Sequence, residues 1–171
     1  MLTFVKIAKE STEMCKSEKD YLMAILKSYS KTDHGNWINK VDYENCKYYW
    51  CKAMNVDNGV MGARPLFGKS IYLAAIPNES AIPAIVNSWI ESLAPTAIHE
   101  LRHLWQQQAY GKVLWSIMRL PEVIPALYGK VLMERDAFKV QDWAEEWVNE
   151  SLMEYGANAY TRIMIAKSED C

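Results

Sequence analysis

His99, Glu100 and His103 follow one another within little more than a helical turn, and two of the chain's three histidines are among them. Residues four apart on a helix lie one above the other on the same face. Two imidazoles so placed can both reach one metal ion at about 2.0–2.1 Å. The glutamate beside the first histidine is turned away from that face. It is poorly placed as a ligand but well placed to accept a proton from a metal-bound water. The predicted chemistry is metal-assisted hydrolysis, with Glu100 as the catalytic base and one Zn2+ per chain as the cofactor.

A catalytic zinc site takes a third protein ligand and keeps a fourth position open. No histidine follows His103, so an HExxHxxGxxH arrangement is excluded and the ligand is a carboxylate or the upstream His34. Glu134 is the first choice, because it sits on an expected helix after an apolar run. Glu122 is the runner-up, although its place after Pro121 also suits a helix-start glutamate. His34, between Asp33 and Gly35, reads first as a loop residue with a metal or substrate role as the alternative. Glu145, Glu146, Glu150 and Glu154 read as a charged outer face. Arg102 flanks the metal-binding face, where it can pair with a carboxylate, hold a substrate carboxylate, or face solvent. Tyr110 and Tyr128 are the candidate donors to an oxyanion, and the spacing selects neither.

These residues need elements to carry them. Apolar spacing predicts a helix over 3–30, with Leu22, Ile25, Leu26 and Tyr29 on one face. Gly and Asn mark 31–39 as a loop, and 43–54 has no clear pattern. Gly59, Gly62, Pro65 and Gly68 mark an irregular connection before a short strand at 70–76. A helix over 82–93 carries Pro83 in its first turn, and Pro95 opens a second helix that bears the motif and stops at Gly111. Helical pattern resumes at 112–120, 130–146 and 149–166, the last containing Gly156, with a loop bracketed by Pro125 and Gly129. The expected class is α+β, predominantly helical, in a single domain over 1–171.

Half of the 171 residues are hydrophobic and 23% are charged, which excludes global disorder and allows a sizeable core. A net charge of −2 with no polybasic run excludes a nucleic-acid or anionic-lipid footprint. No apolar run is long enough for a membrane span, no cleavable leader is visible at the N-terminus, and none of the four cysteines forms a CxxC pair. A cytoplasmic protein with free thiols is the expectation.

The run His99-Glu100-Leu101-Arg102-His103, followed 30 residues later by Glu134-Arg135-Asp136-Ala137, resembles the gluzincin branch of the zincin metallopeptidases. The resemblance covers at most residues 71–138 and rests on its motifs. It implies a zincin-like domain with an active-site helix and a small central sheet or edge strand. It further implies metal ligands His99, His103 and Glu134, and an ExxA second motif whose Ala137 lets two helices approach. The strand at 70–76 would then pair with extended peptide, or else be a core strand. Two departures stand out: Arg102 occupies a position that is uncharged in the stringent motif, and Phe138 stands where the ExxxD form has an aspartate orienting a zinc histidine. Asp136 or Asp142 are the substitutes for that aspartate. The implied function is hydrolysis of peptide bonds in a peptide or protein substrate. The alternative is a non-catalytic zinc-binding protein or interaction module that keeps the fold.

Overall fold

Ser11 and Thr12 interrupt what periodicity alone predicts as one helix. In the computed structural model the backbone is described for residues 4–54, 61–65, 68–75, 83–111, 114–115 and 132–167. Side chains are described for 6–54, 61–65, 68–75, 84–111, 114–115 and 132–151. The N-terminal segment is a short helix α1 (Phe4–Lys9), a strand β1 (Ser11–Glu13) and a helix α2 (Lys16–Tyr29). The Ser11 hydroxyl donates to the Ile7 carbonyl, a local bond that competes with continued helix. The backbone then turns outward to a partner strand, the Glu10 carbonyl accepting from Lys52 N–H and Met14 N–H donating to the Tyr48 carbonyl. α2 restarts where Glu18 reaches back to accept the Cys15 N–H at 3.0 Å, one half of a capping box.

The patternless 43–54 segment contains β2 (Lys47–Cys51), and the glycine-marked connection contains β3 (Gly62–Ala63). With β4 (Ser70–Ala74) they form a sheet of order β1-β2-β4-β3, antiparallel except for the parallel pair β2–β4. β4 therefore has a neighbour on both sides, and the sheet's outer strand next to it is β3. The strand expected at 70–76 is thus, over Ser70–Ala74, an interior strand of the described sheet and not an edge. The register pairs Tyr48 with Ile71 and Trp50 with Leu73 on the face turned to the helices. Tyr49 with Tyr72 and Cys51 with Ala74 lie on the opposite face, over Ile7, Ala53 and Met54. Cys46 and Cys51 are buried free thiols, whereas Cys15 is disulfide-bonded, against the expectation for that residue.

Pro95 does not begin a helix. α3 (Pro83–Tyr110) runs through it without a break. A proline inside a helix costs about 3 kcal/mol through the lost N–H and the clash with the preceding turn. Leu93, Ala94, Ala97 and Ile98, on both sides of it, are fully buried. Burying a leucine or isoleucine side chain contributes roughly 1.5–3 kcal/mol, so a few such residues offset the proline. The two C-terminal helices expected at 130–146 and 149–166 are likewise one helix, α4 (Leu132–Lys167). α3 is the hub, packing on α4, α2 and the sheet. Glu122, Tyr128 and the 125–129 loop lie outside the described residues. No described helix is long and apolar enough to cross a membrane.

After α2 the chain turns through Gly35 into a 3-10 helix (Asn36–Lys40) that buries Trp37 and Ile38. A Cβ on Gly35 would lie 2.0 Å from the Tyr29 carbonyl oxygen, while its φ of −97° is ordinary. Space, not backbone conformation, selects glycine there. Gly35→Ala is expected to lower the unfolding free energy by about 1–3 kcal/mol, the range for overpacking a tight site. Denaturant unfolding checks this, and an unchanged midpoint would show that the turn can move away from Tyr29.

Candidate metal centre

The face of α3 that carries His99 and His103 points into the seam between α3 and α4. His99, His103 and Glu134 are all buried, and one ligand atom from each lies within 4.8 Å of the others. His99 Nε2 and His103 Nε2 are 3.1 Å apart. His99 Nε2 lies 3.4 Å from Glu134 Oε2, and His103 Nε2 lies 3.2 Å from Glu134 Oε1. Ligand bonds of 2.0–2.1 Å in a tetrahedron place neighbouring donors roughly 3.3 Å apart. The three observed separations bracket that edge length. The donor set, two imidazole nitrogens and a carboxylate, fits a borderline metal such as zinc, and this buried group could hold a metal ion.

Glu134 reaches the centre because α4 begins just before it and turns its first inward residues onto α3. Met133 and Ala137 are buried on the same side, and Ala137 leaves room for the close approach of the two helices. The Glu134 carboxylate is itself fully buried. Burial pushes its pKa up, but the His103 and His99 imidazoles outweigh this and hold it well below the ordinary carboxylate range.

Glu100 is buried on the same turn but is not one of the converging ligand atoms. β3 crosses α3 at this point. A Cβ on Gly62 would lie 2.5 Å from Thr96 Cγ2 and 3.4 Å from Glu100 Cγ and Oε1. Glycine is required there by the close approach of strand to helix, and that approach packs the outer strand against Glu100.

Arg102 pairs with a carboxylate. Its Nε and Nη2 donate to Asp136 Oδ2 and Oδ1 at 2.6 and 3.0 Å, a two-pronged bond. Its guanidinium also lies over Trp105 and Trp37, with centroid distances of 4.0 and 5.0 Å. Of the two substitutes for the missing aspartate, Asp136 joins this network and Asp142 is exposed. Phe138 meets the His99 ring edge-on at 4.7 Å. His34 is stacked on Trp143 at 4.2 Å and is not a member of the cluster. Tyr110 is exposed, as are Glu145, Glu146 and Glu150.

Two further polar groups at the site are not among the candidates that the sequence offers. Gln106 contacts His103 Nδ1 through Oε1 at 2.9 Å, and its amide donates to the Met133 carbonyl at 3.0 Å and to Asp136 Oδ2 at 2.9 Å. Its position three residues after His103 was the available clue. Arg64, buried just past β3, donates to Gln107 Oε1 at 2.8 Å and packs over Trp115. Nothing local in the sequence announces it.

No protein-family model, curated protein or solved structure matches the chain.

The lowered pKa values of Glu134 and Asp136 set the sign of the acid response. A carboxylate depressed in the folded state stabilises the fold above its unfolded pKa, roughly 4, and that stability is lost as pH falls toward the folded value. The contribution of these two carboxylates to the stability of the metal-free protein should be full above about pH 5 and be lost below about pH 4. Glu134→Gln should flatten this loss in a series of denaturant titrations. An equally steep loss in the variant would remove Glu134 from the account.

Proposed function

We propose that this chain is a zinc-dependent metallopeptidase of zincin type, with His99, His103 and Glu134 as ligands to one zinc ion and Glu100 as the general base. The observation that carries the reading is the separation of two buried carboxylates by role. Glu134 faces both imidazole nitrogens, and Glu100, next to His99, stays out of the ligand set. Three ligands among the described residues match the protein-ligand count of hydrolytic zinc sites, which keep a fourth position for water and substrate.

Bound zinc would supply an acidified water and polarise the scissile carbonyl. Glu100 takes the proton from the attacking water and passes it to the departing amine. β3 lies against Glu100 and forms the outer strand of the described sheet, so an extended peptide added to its edge would run past the base. This moves the substrate-pairing role suggested for 70–76 to Gly62–Ala63.

Glu100→Gln keeps the shape and loses the base. Zinc content should stay at one per chain while turnover of a fluorogenic peptide library falls about 10²–10⁴-fold, the contribution of a positioned base. Full turnover in the variant would refute the assigned role. A parent that binds zinc and cleaves nothing in the library would favour the non-catalytic zinc-binding reading.

Metal removal gives a second check. Zinc at 1,000 times its Kd should stabilise the protein by about 4 kcal/mol, visible as a higher Tm that a chelator reverses. Glu134→Gln should remove most of that shift. A parent Tm indifferent to zinc and chelator would count against the centre.

A further inference from the structure

The hydrogen-bond partners of Gln106 determine which ring nitrogen of His103 carries hydrogen. The Met133 carbonyl and the Asp136 carboxylate both face one end of the Gln106 amide, at 3.0 and 2.9 Å. Both groups only accept, and the Asp136 carboxylate is held ionised by its paired bonds from Arg102. That end of the amide must be the NH2, so the other end is the oxygen. The oxygen faces His103 Nδ1 at 2.9 Å. An amide oxygen accepts, so Nδ1 must carry hydrogen. Nε2 is then the nitrogen left to bind metal, and it is the atom aimed at His99 and Glu134.

We propose that Arg102, Asp136 and Gln106 form a positioning relay that locks His103 into its metal-binding tautomer before any metal arrives, while His99 is left unlocked. The relay rests on the metal-centre reading above. It takes the place of the aspartate that Phe138 displaces. The order is fixed by chemistry: the guanidinium fork orients the carboxylate, the carboxylate orients the amide, and the amide orients the imidazole. Trp105 and Trp37 cover the guanidinium and keep the fork from swinging out. Asp136 comes from α4 and the other three from α3, so the relay also fixes the seam at the depth of Glu134.

His99 differs. Its Nδ1 is buried with no hydrogen-bond partner among the described residues, and its flank is the Phe138 ring. Its Nε2 lies 3.1 Å from His103 Nε2 and 3.4 Å from Glu134 Oε2.

Nitrogen-15 NMR of the histidine rings tests this in metal-free full-length protein, with zinc and cobalt(II) as the probes. In the parent, His103 should show hydrogen on Nδ1 both without and with zinc. Gln106→Leu should lose the single His103 tautomer, weaken zinc binding about 10–100-fold in a chelator competition, and alter the visible spectrum of the cobalt(II) form. Asp136→Asn provides a second variant should Gln106→Leu not fold, with the same direction of change. A purely structural role would lower the Tm and leave tautomer and spectrum alone. If the parent binds zinc but both variants bind within threefold and keep the tautomer, the relay is overturned and the centre stands. If the parent binds neither metal, the centre falls and the relay with it.

Discussion

A fully buried carboxylate on one helix, met by two imidazoles from another, is the constraint on which this structure turns. Taking Glu134 out of water costs several kcal/mol, and that cost is recovered only if its partners are placed to within hydrogen-bond distance. His99 and His103 provide those partners from α3, 3.2–3.4 Å away. The register of α4 on α3 is thereby set more narrowly than apolar packing alone would set it. Ala137, Val140 and Ala144 continue the same buried stripe along α4, and the small residues let the helix axes come close enough for the carboxylate to reach.

Beside this contact runs a second polar link between the same two helices, through Arg102, Asp136 and Gln106. It is half-exposed where Glu134 is buried, and its charges cancel in a two-pronged pair at 2.6 and 3.0 Å. Together the links place polar groups of both helices at two depths in the seam. Sliding α4 by one turn would strand a carboxylate without donors in each. Hydrophobic contacts tolerate small slips, because their energy depends on area, whereas these pairs do not.

Features set within one turn were legible in the residues. The placement of His99, Glu100 and His103 on one helix follows from spacing alone, and Glu134 followed from the shortage of histidines and the apolar run before it. Features set by distant partners were not. Pro95 reads locally as a helix start, yet burial on both sides carries α3 across it. Residues 3–30 read as one helix, yet β1 leaves the helical path to pair with β2, some 35–40 residues later. β3 is two residues long and has no alternating pattern to find. Gln106 and Asp136 are ordinary helix residues until α3 and α4 are side by side. Arg102 carried three readings in sequence, and only the position of Asp136 selects among them.

The two carboxylates at the centre show how position on a helix divides labour. Glu100 and His99 are neighbours in sequence, so their side chains leave the helix about 100° apart. Glu100 therefore cannot follow His99 and His103 toward the seam, whatever its charge. It is directed instead toward β3, where Gly62 leaves room for its methylene and carboxylate. Glu134 comes from the other helix and meets both imidazoles head-on. Its ionised form is favoured by those partners, and Glu100 sits against the strand backbone at Gly62. A larger residue at 62 would disturb the second carboxylate without touching the first.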